Sequence, residues 1–201
     1  MDSGHFDPAG AAAPAAAPPV TTKMLIAGGF GAGKTTLVAA ISEIRPLRTE
    51  EALTDVGIGI DRTDGVDGKA TTTVAMDFGR ITFPHGVVLY LFGTPGQRRF
   101  WFMWDELAFG ALGAVVLADT RRLADCFASV DYFERGNTPF IVAANCFDGA
   151  ARYEPPEISA ALDLDPGVPV LLCDARSRES VKQVLIASVT HSLARYRAAT
   201  S

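Results

Sequence analysis

Paired cysteines are missing from this chain, and so is any apolar run long enough to cross a bilayer. The three cysteines, Cys126, Cys146 and Cys173, are odd in number, far apart and without a CxxC spacing. That excludes a disulfide framework and argues against a zinc or thiol-redox centre, so they read as reduced thiols of a cytoplasmic protein. No stretch approaches the roughly 20 consecutive apolar residues of a transmembrane helix, and no basic start precedes an apolar segment at the N-terminus. Residue two is Asp2 rather than glycine, and the final Ala-Thr-Ser holds no cysteine, so neither myristoylation nor prenylation is signalled. Membrane association is then expected only indirectly, through partners. Positive charge is scarce as well: 18 Lys and Arg against 23 Asp and Glu leave a net charge of −5. Neither nucleic acid nor an anionic bilayer gains by meeting such a surface.

What is present suits one α/β domain: 201 residues, 48% of them hydrophobic, bury a core without staples. Residues 1–21 mix alanine with prolines that forbid a long helix, and read as a disordered tail. The folded domain is expected over 22–201. Lys23-Met-Leu-Ile-Ala27 is a short β-rich run, and Leu37, Val38, Ile41 and Ile44 then recur at helical spacing. The runs TVAMDFGRITF and VVLYLF are joined by Pro84-His85-Gly86, a connection short enough to force an antiparallel hairpin. LGAVVLA, PFIVAA and VPVLLC carry few polar residues, as parallel strands buried on both faces do. Residues 45–70 lack periodicity and read as one long loop. The expected fold is a doubly wound, six-stranded, mostly parallel sheet with one antiparallel strand and helices on both faces, in the manner of a P-loop NTPase.

Residues 28–35, GGFGAGKT, satisfy G-x-x-x-x-G-K-[ST] between a predicted strand and an amphipathic helix. Phosphate oxygens need several donors converging from one side, and glycines let backbone N–H groups turn inward. Gly28, Gly29, Phe30, Gly31, Ala32, Gly33, Lys34, Thr35 and Thr36 are therefore candidate phosphate-binding residues. Lys34 is expected to reach the β- and γ-phosphates, and the Thr35 hydroxyl to ligate Mg2+. The alternative is a glycine-rich strand-to-helix turn that binds nothing.

Asn145-Cys146-Phe147-Asp148 follows the fifth predicted strand and matches the outer residues of Asn-Lys-x-Asp. A carboxylate at Asp148 accepts two hydrogen bonds from the N1–H and exocyclic amine of guanine, donors that adenine does not present there. Asn145 is placed to hold the loops together. Taken alone, an ordinary Asn and Asp turn after a strand explains the pair better, and the third segment shifts that balance. After the sixth strand come Asp174-Ala175-Arg176, where the Ala175 N–H is a candidate for guanine O6 and Arg176 for stacking on the base.

Over residues 22–197 the chain resembles the small Ras-like GTPase superfamily, and within it the bacterial MglA-like branch, above all the conservon-type GTPases of actinobacteria. The residues that carry this are GGFGAGKT, TTTVAMDFGRI, LFGTPGQRRFWFMW and NCFD, in that order. The resemblance implies GTP and GDP as ligands with Mg2+, and a regulatory switch that hydrolyses GTP. It implies partners too: a roadblock-domain regulator and a sensor-kinase-like protein. It also assigns Thr73 to switch I, closing over the metal and γ-phosphate, and Gly96 and Gln97 to switch II, with Gln97 orienting the attacking water. Plain β-propensity explains a threonine run equally well.

Three positions depart from the superfamily. Gly93 stands where most members carry the aspartate that holds the metal through water, a loss shared with the MglA-like branch, and Asp77 on the neighbouring strand is a substitute. Phe30 crowds the γ-phosphate side of the loop, which predicts slow hydrolysis. Cys146 replaces the base-stacking lysine. Two rivals stay open: a GTP-binding scaffold that does not hydrolyse, and a P-loop ATPase or kinase in which Asp119 ends a Walker B strand. The apolar cluster Trp101, Phe102, Met103 and Trp104 after switch II is expected to divide between core and a partner surface.

Overall fold

The computed structural model describes residues 18–54, 71–96, 102–136 and 138–200, with the backbone alone for 47–54, 71–75 and His85. Apolar strands and amphipathic helices alternate along it: β1 (Val20–Ala27), α1 (Lys34–Ile41), β2 (Leu47–Thr54), β3 (Thr71–Phe83), β4 (Val87–Gly93), α2 (Trp104–Ala108), β5 (Ala111–Asp119), α3 (Phe127–Arg135), β6 (Phe140–Asn145), α4 (Pro155–Ala161), β7 (Val170–Cys173) and α5 (Arg178–Ala199).

The strands form one sheet in the order β2-β3-β4-β1-β5-β6-β7. Pairing is parallel from β4 through β1, β5 and β6 to β7, and antiparallel on both sides of β3. One strand, β3, therefore runs against the rest, as the fold class requires. The sheet has seven strands where six are expected, because β2 runs through part of the segment 45–70 that reads as loop. Its sequence, LRTEEALT, carries three charges in eight residues, which hides it from an apolar search and suits a strand at the sheet edge.

Buried side chains divide into two layers, one on each face. Met24, Ile26, Leu89, Leu91, Val115 and Leu117 pack under α1 and α5. Leu25, Ala27, Val116, Ala118 and Val142 pack under Trp104, Val130, Phe133 and Ile158 of α2, α3 and α4. Alternate residues of one strand thus serve opposite layers, which is why β1, β5 and β6 read as unbroken apolar runs. The doubly wound arrangement brings the carboxyl ends of β1, β4, β5, β6 and β7 to one edge, where loops of an α/β sheet form their crevice.

Candidate functional site

The loop 28–33 leaves buried Ala27 and ends on Gly33, which caps α1 with φ 106° and no side-chain cap bond. The first N–H groups of α1 are thus not taken by a cap side chain and face into the loop. A side chain is excluded at two points: at Gly28, with φ 131°, a Cβ would run into the Leu117 carbonyl, and at Gly33 it would lie 2.6 Å from Asn145 Nδ2. Lys34 folds over the loop, and its Nζ donates to the carbonyls of Gly28 (2.9 Å) and Gly29 (2.7 Å). Burial holds its pKa down to about 8, with the charge of Asp77 pulling the other way. Gly96 packs against the same loop, since a Cβ there would stand 2.8 Å from Lys34 Nζ and 3.0 Å from Phe30 N. Phe30 itself turns outward, 68% exposed.

Thr35 opens α1, and its hydroxyl donates to Asp77 Oδ2 at 2.6 Å across 42 residues of sequence. Asp77 lies directly opposite Gly93 in the β3–β4 pairing. A Cβ at Gly93 would come within 3.0 Å of Asp77 Cβ and 3.2 Å of Asp77 Oδ2. The glycine therefore leaves room for a carboxylate delivered by the neighbouring strand. Thr73 lies on β3 opposite Ala52, its side chain outside the described residues. Gln97 also falls outside them.

Asn145 ends β6 and is 5% exposed. Its Nδ2 donates to the Ala32 carbonyl (3.0 Å), and its Oδ1 accepts from the Ala175 N–H (3.0 Å). One buried amide thus joins the phosphate loop to the loop after β7, and the Cys146 N–H adds a second tie by donating to the Cys173 carbonyl at 2.6 Å. The Ala175 N–H is here engaged inside the protein, because a buried amide oxygen needs a donor. The Arg176 guanidinium forks onto Asp148 (Nη1 to Oδ2 2.6 Å, Nη2 to Oδ1 3.0 Å) and onto Asp174 (Nε to Oδ1 2.9 Å, Nη2 to Oδ2 3.0 Å). These contacts hold both carboxyls below their ordinary range and raise the guanidinium further.

The segment after β5 contributes contacts that no local motif signals. Arg122 Nη2 donates to the Phe30 carbonyl at 2.9 Å, and the Asp125 Cβ occupies the space beside Gly29. Asp119, 4% exposed, is gripped at both oxygens by Arg121 (2.9 and 2.7 Å). Arg121 also lies 3.7 Å over the Phe147 ring. Burial pushes the thiols of Cys126 and Cys173 up to about 12 and about 11, which keeps them inert. Of the aromatic side chains that follow residue 100, Trp104 is buried against Tyr132 and Phe133, and Phe102 is exposed. Trp101 lies outside the described residues.

Among the described residues no cluster of three or more His, Cys, Asp or Glu side chains is arranged to hold a metal, and no helix is long and apolar enough to cross a membrane.

A family described as conserved hypothetical ATP-binding proteins matches residues 26–195. No curated protein matches. Among solved structures, the G domain of the T. maritima FeoB iron transporter is similar at 19% identity and a TM-score of 0.58, covering 86% of this chain and 99% of that one. The FeoB cytosolic domain in a GDP form is similar at 18% identity with a TM-score of 0.62, over 88% of this chain and 65% of that one. Its GMPPNP form gives 18% identity and a TM-score of 0.57, over 84% of this chain and 62% of that one. The chain thus spans just under two thirds of the cytosolic-domain structures. At these identities the likeness establishes the fold, that of a P-loop GTPase-like G domain.

Proposed function

The chain belongs to the family described as conserved hypothetical ATP-binding proteins, and within that nucleotide-binding frame we propose, from the residues at the ends of β6 and β7, that it is a guanine-nucleotide switch of the MglA-like kind. In this reading residues 22–201 are the G domain and 1–21 a tail. GTP and GDP lie across the carboxyl edge of the sheet, and GTP hydrolysis is slow without a partner. The observation that carries the reading is Asn145, whose buried side chain binds Ala32 on one side and Ala175 on the other. A phosphate loop alone suits any nucleotide; tying it to the loops that carry Asp148 and Arg176 builds a base site at a fixed distance from the phosphates.

The roles follow from placement. The amides of Gly28–Thr36 cradle the phosphates at the start of α1, with Lys34 exchanging its carbonyl partners for phosphate oxygens. Asp148 reads the base edge. The all-oxygen pair of Thr35 hydroxyl and Asp77 carboxylate, 2.6 Å apart, fits a hard divalent cation. Magnesium, when bound, would neutralise charge on the terminal phosphates there, with Thr73 closing from switch I. Gly96 N–H and Gln97 would hold the γ-phosphate and the attacking water, and exposed Phe30 would obstruct that approach. A roadblock-domain regulator and a sensor-kinase-like protein are the proposed partners, on family resemblance.

The family's description favours a second reading, an adenine-nucleotide enzyme. Asp119 would then have to reach magnesium as a Walker B residue, yet both of its oxygens are taken by Arg121 and, unlike exposed Asp148, its side chain is buried. Competition of GDP and ADP for the stripped protein tests the choice. GDP preferred by at least tenfold supports the switch; ADP bound as well or better removes Asp148 from its role.

A further inference from the structure

We propose that Arg176 caps the base site, holding Asp148 with the two-donor edge that a guanine presents, so that a guanine nucleotide enters by exchanging one fork for another. The inference rests on the reading of Asp148 given above.

A guanidinium offers two parallel N–H groups in one plane, and so does the N1–H and 2-amino edge of guanine. Arg176 presents that pair to Asp148 at 2.6 and 3.0 Å. Both forks need the same end-on face of the carboxylate, so the guanidinium must leave that face when the base arrives. It has somewhere to remain. Asp174 accepts from Arg176 Nε at 2.9 Å and Nη2 at 3.0 Å, and from the Arg176 backbone N–H at 2.9 Å. Breaking the Asp148 fork therefore leaves the arginine held at the rim.

The frame around this exchange is fixed while the exchanging groups are not. Ala175 is 1% exposed and bound to Asn145, which sets where the Arg176 backbone sits. The side chains of Asp148 and Arg176 are 83% and 55% exposed, so their ion pair is screened and cheaply broken. At the corresponding positions adenine presents the N1 acceptor and a C2–H, its amine lying at C6. It gives the carboxylate no pair of donors with which to replace the arginine, so the discrimination stays with Asp148.

The test uses the full chain stripped of nucleotide, with a fluorescent GDP followed by stopped flow and ADP as competitor, for the parent protein, Arg176→Ala and Arg176→Lys. The parent protein should prefer GDP. Arg176→Ala should speed GDP association and tighten binding about two- to fivefold, the range of a released surface ion pair, with Arg176→Lys in between because an ammonium lacks the parallel donors. Raising salt should narrow the difference between parent and alanine variant. GDP binding that is unchanged in Arg176→Ala, while GDP remains preferred, overturns the cap alone; weaker binding overturns it too and assigns the guanidinium to contact with the bound base. A parent protein that binds ADP as tightly as GDP overturns the Asp148 reading, and the cap with it.

Discussion

The Thr35 hydroxyl and the Asp77 carboxylate meet at 2.6 Å, linking the first turn of α1 to the one antiparallel strand of the sheet. Asp77 comes from the strand beside the one bearing Gly93, in the space that Gly93 leaves, and in the proposed reading it takes the place of the metal-holding aspartate. Asp77→Ala should cost about 10- to 100-fold in the magnesium-dependent part of nucleotide affinity, the range for groups that orient a metal site. The check is GDP affinity titrated against magnesium. Moving the carboxylate back, with Asp77→Gly and Gly93→Asp together, should restore much of it, whereas Gly93→Asp alone crowds Asp77 and should not.

Lys34 gives a pH signature. Burial depresses its pKa to about 8 from 10.5. Phosphate oxygens favour the charged ammonium, so nucleotide binding must raise that pKa. Between roughly pH 8 and 10 a proton is then taken up on binding, and affinity falls as pH rises through this window; near pH 6.5 the lysine is already charged and uptake vanishes. Calorimetry of GDP binding in buffers of different ionisation enthalpy reads the uptake directly. In the unliganded protein the sign is set by the same depression: the unfolded chain holds the Lys34 proton longer, so this residue's contribution to stability rises with pH from about 8 to 10.5.

Asn145→Ala removes both bonds of a buried side chain and strands the Ala32 carbonyl and the Ala175 N–H. Each unpaired group costs about 1–3 kcal/mol, so a fall in unfolding free energy of about 2–6 kcal/mol is expected by denaturant titration. Nucleotide affinity should fall further than stability accounts for, because the phosphate and base loops are no longer held at one spacing.

Much of this was legible in the sequence because it is local. GGFGAGKT sits between β1 and α1, and the apolar runs of β1, β5 and β6 announce strands buried on both faces. Asn145 is marked by its place at the end of β6. What the sequence conceals is pairing across distance. Arg122 reaches Phe30 over 92 residues and Arg176 reaches Asp148 over 28, and no periodicity records either. Charged β2 hides for a different reason: hydrogen bonds to β3, rather than an apolar face, define it. The Ala175 N–H illustrates a third limit, since the same backbone donor serves a base or a buried amide, and only geometry tells which.

The most direct test of the account is the base preference of Asp148→Asn. An amide offers a donor where the carboxylate had only acceptors, so the variant should lose GDP affinity by about 1–3 kcal/mol and gain affinity for xanthosine diphosphate, whose 2-oxo group accepts that donor. If Asp148→Asn and the parent protein discriminate between guanosine and xanthosine diphosphates to the same degree, Asp148 does not read the base, and the guanine-switch account is contradicted.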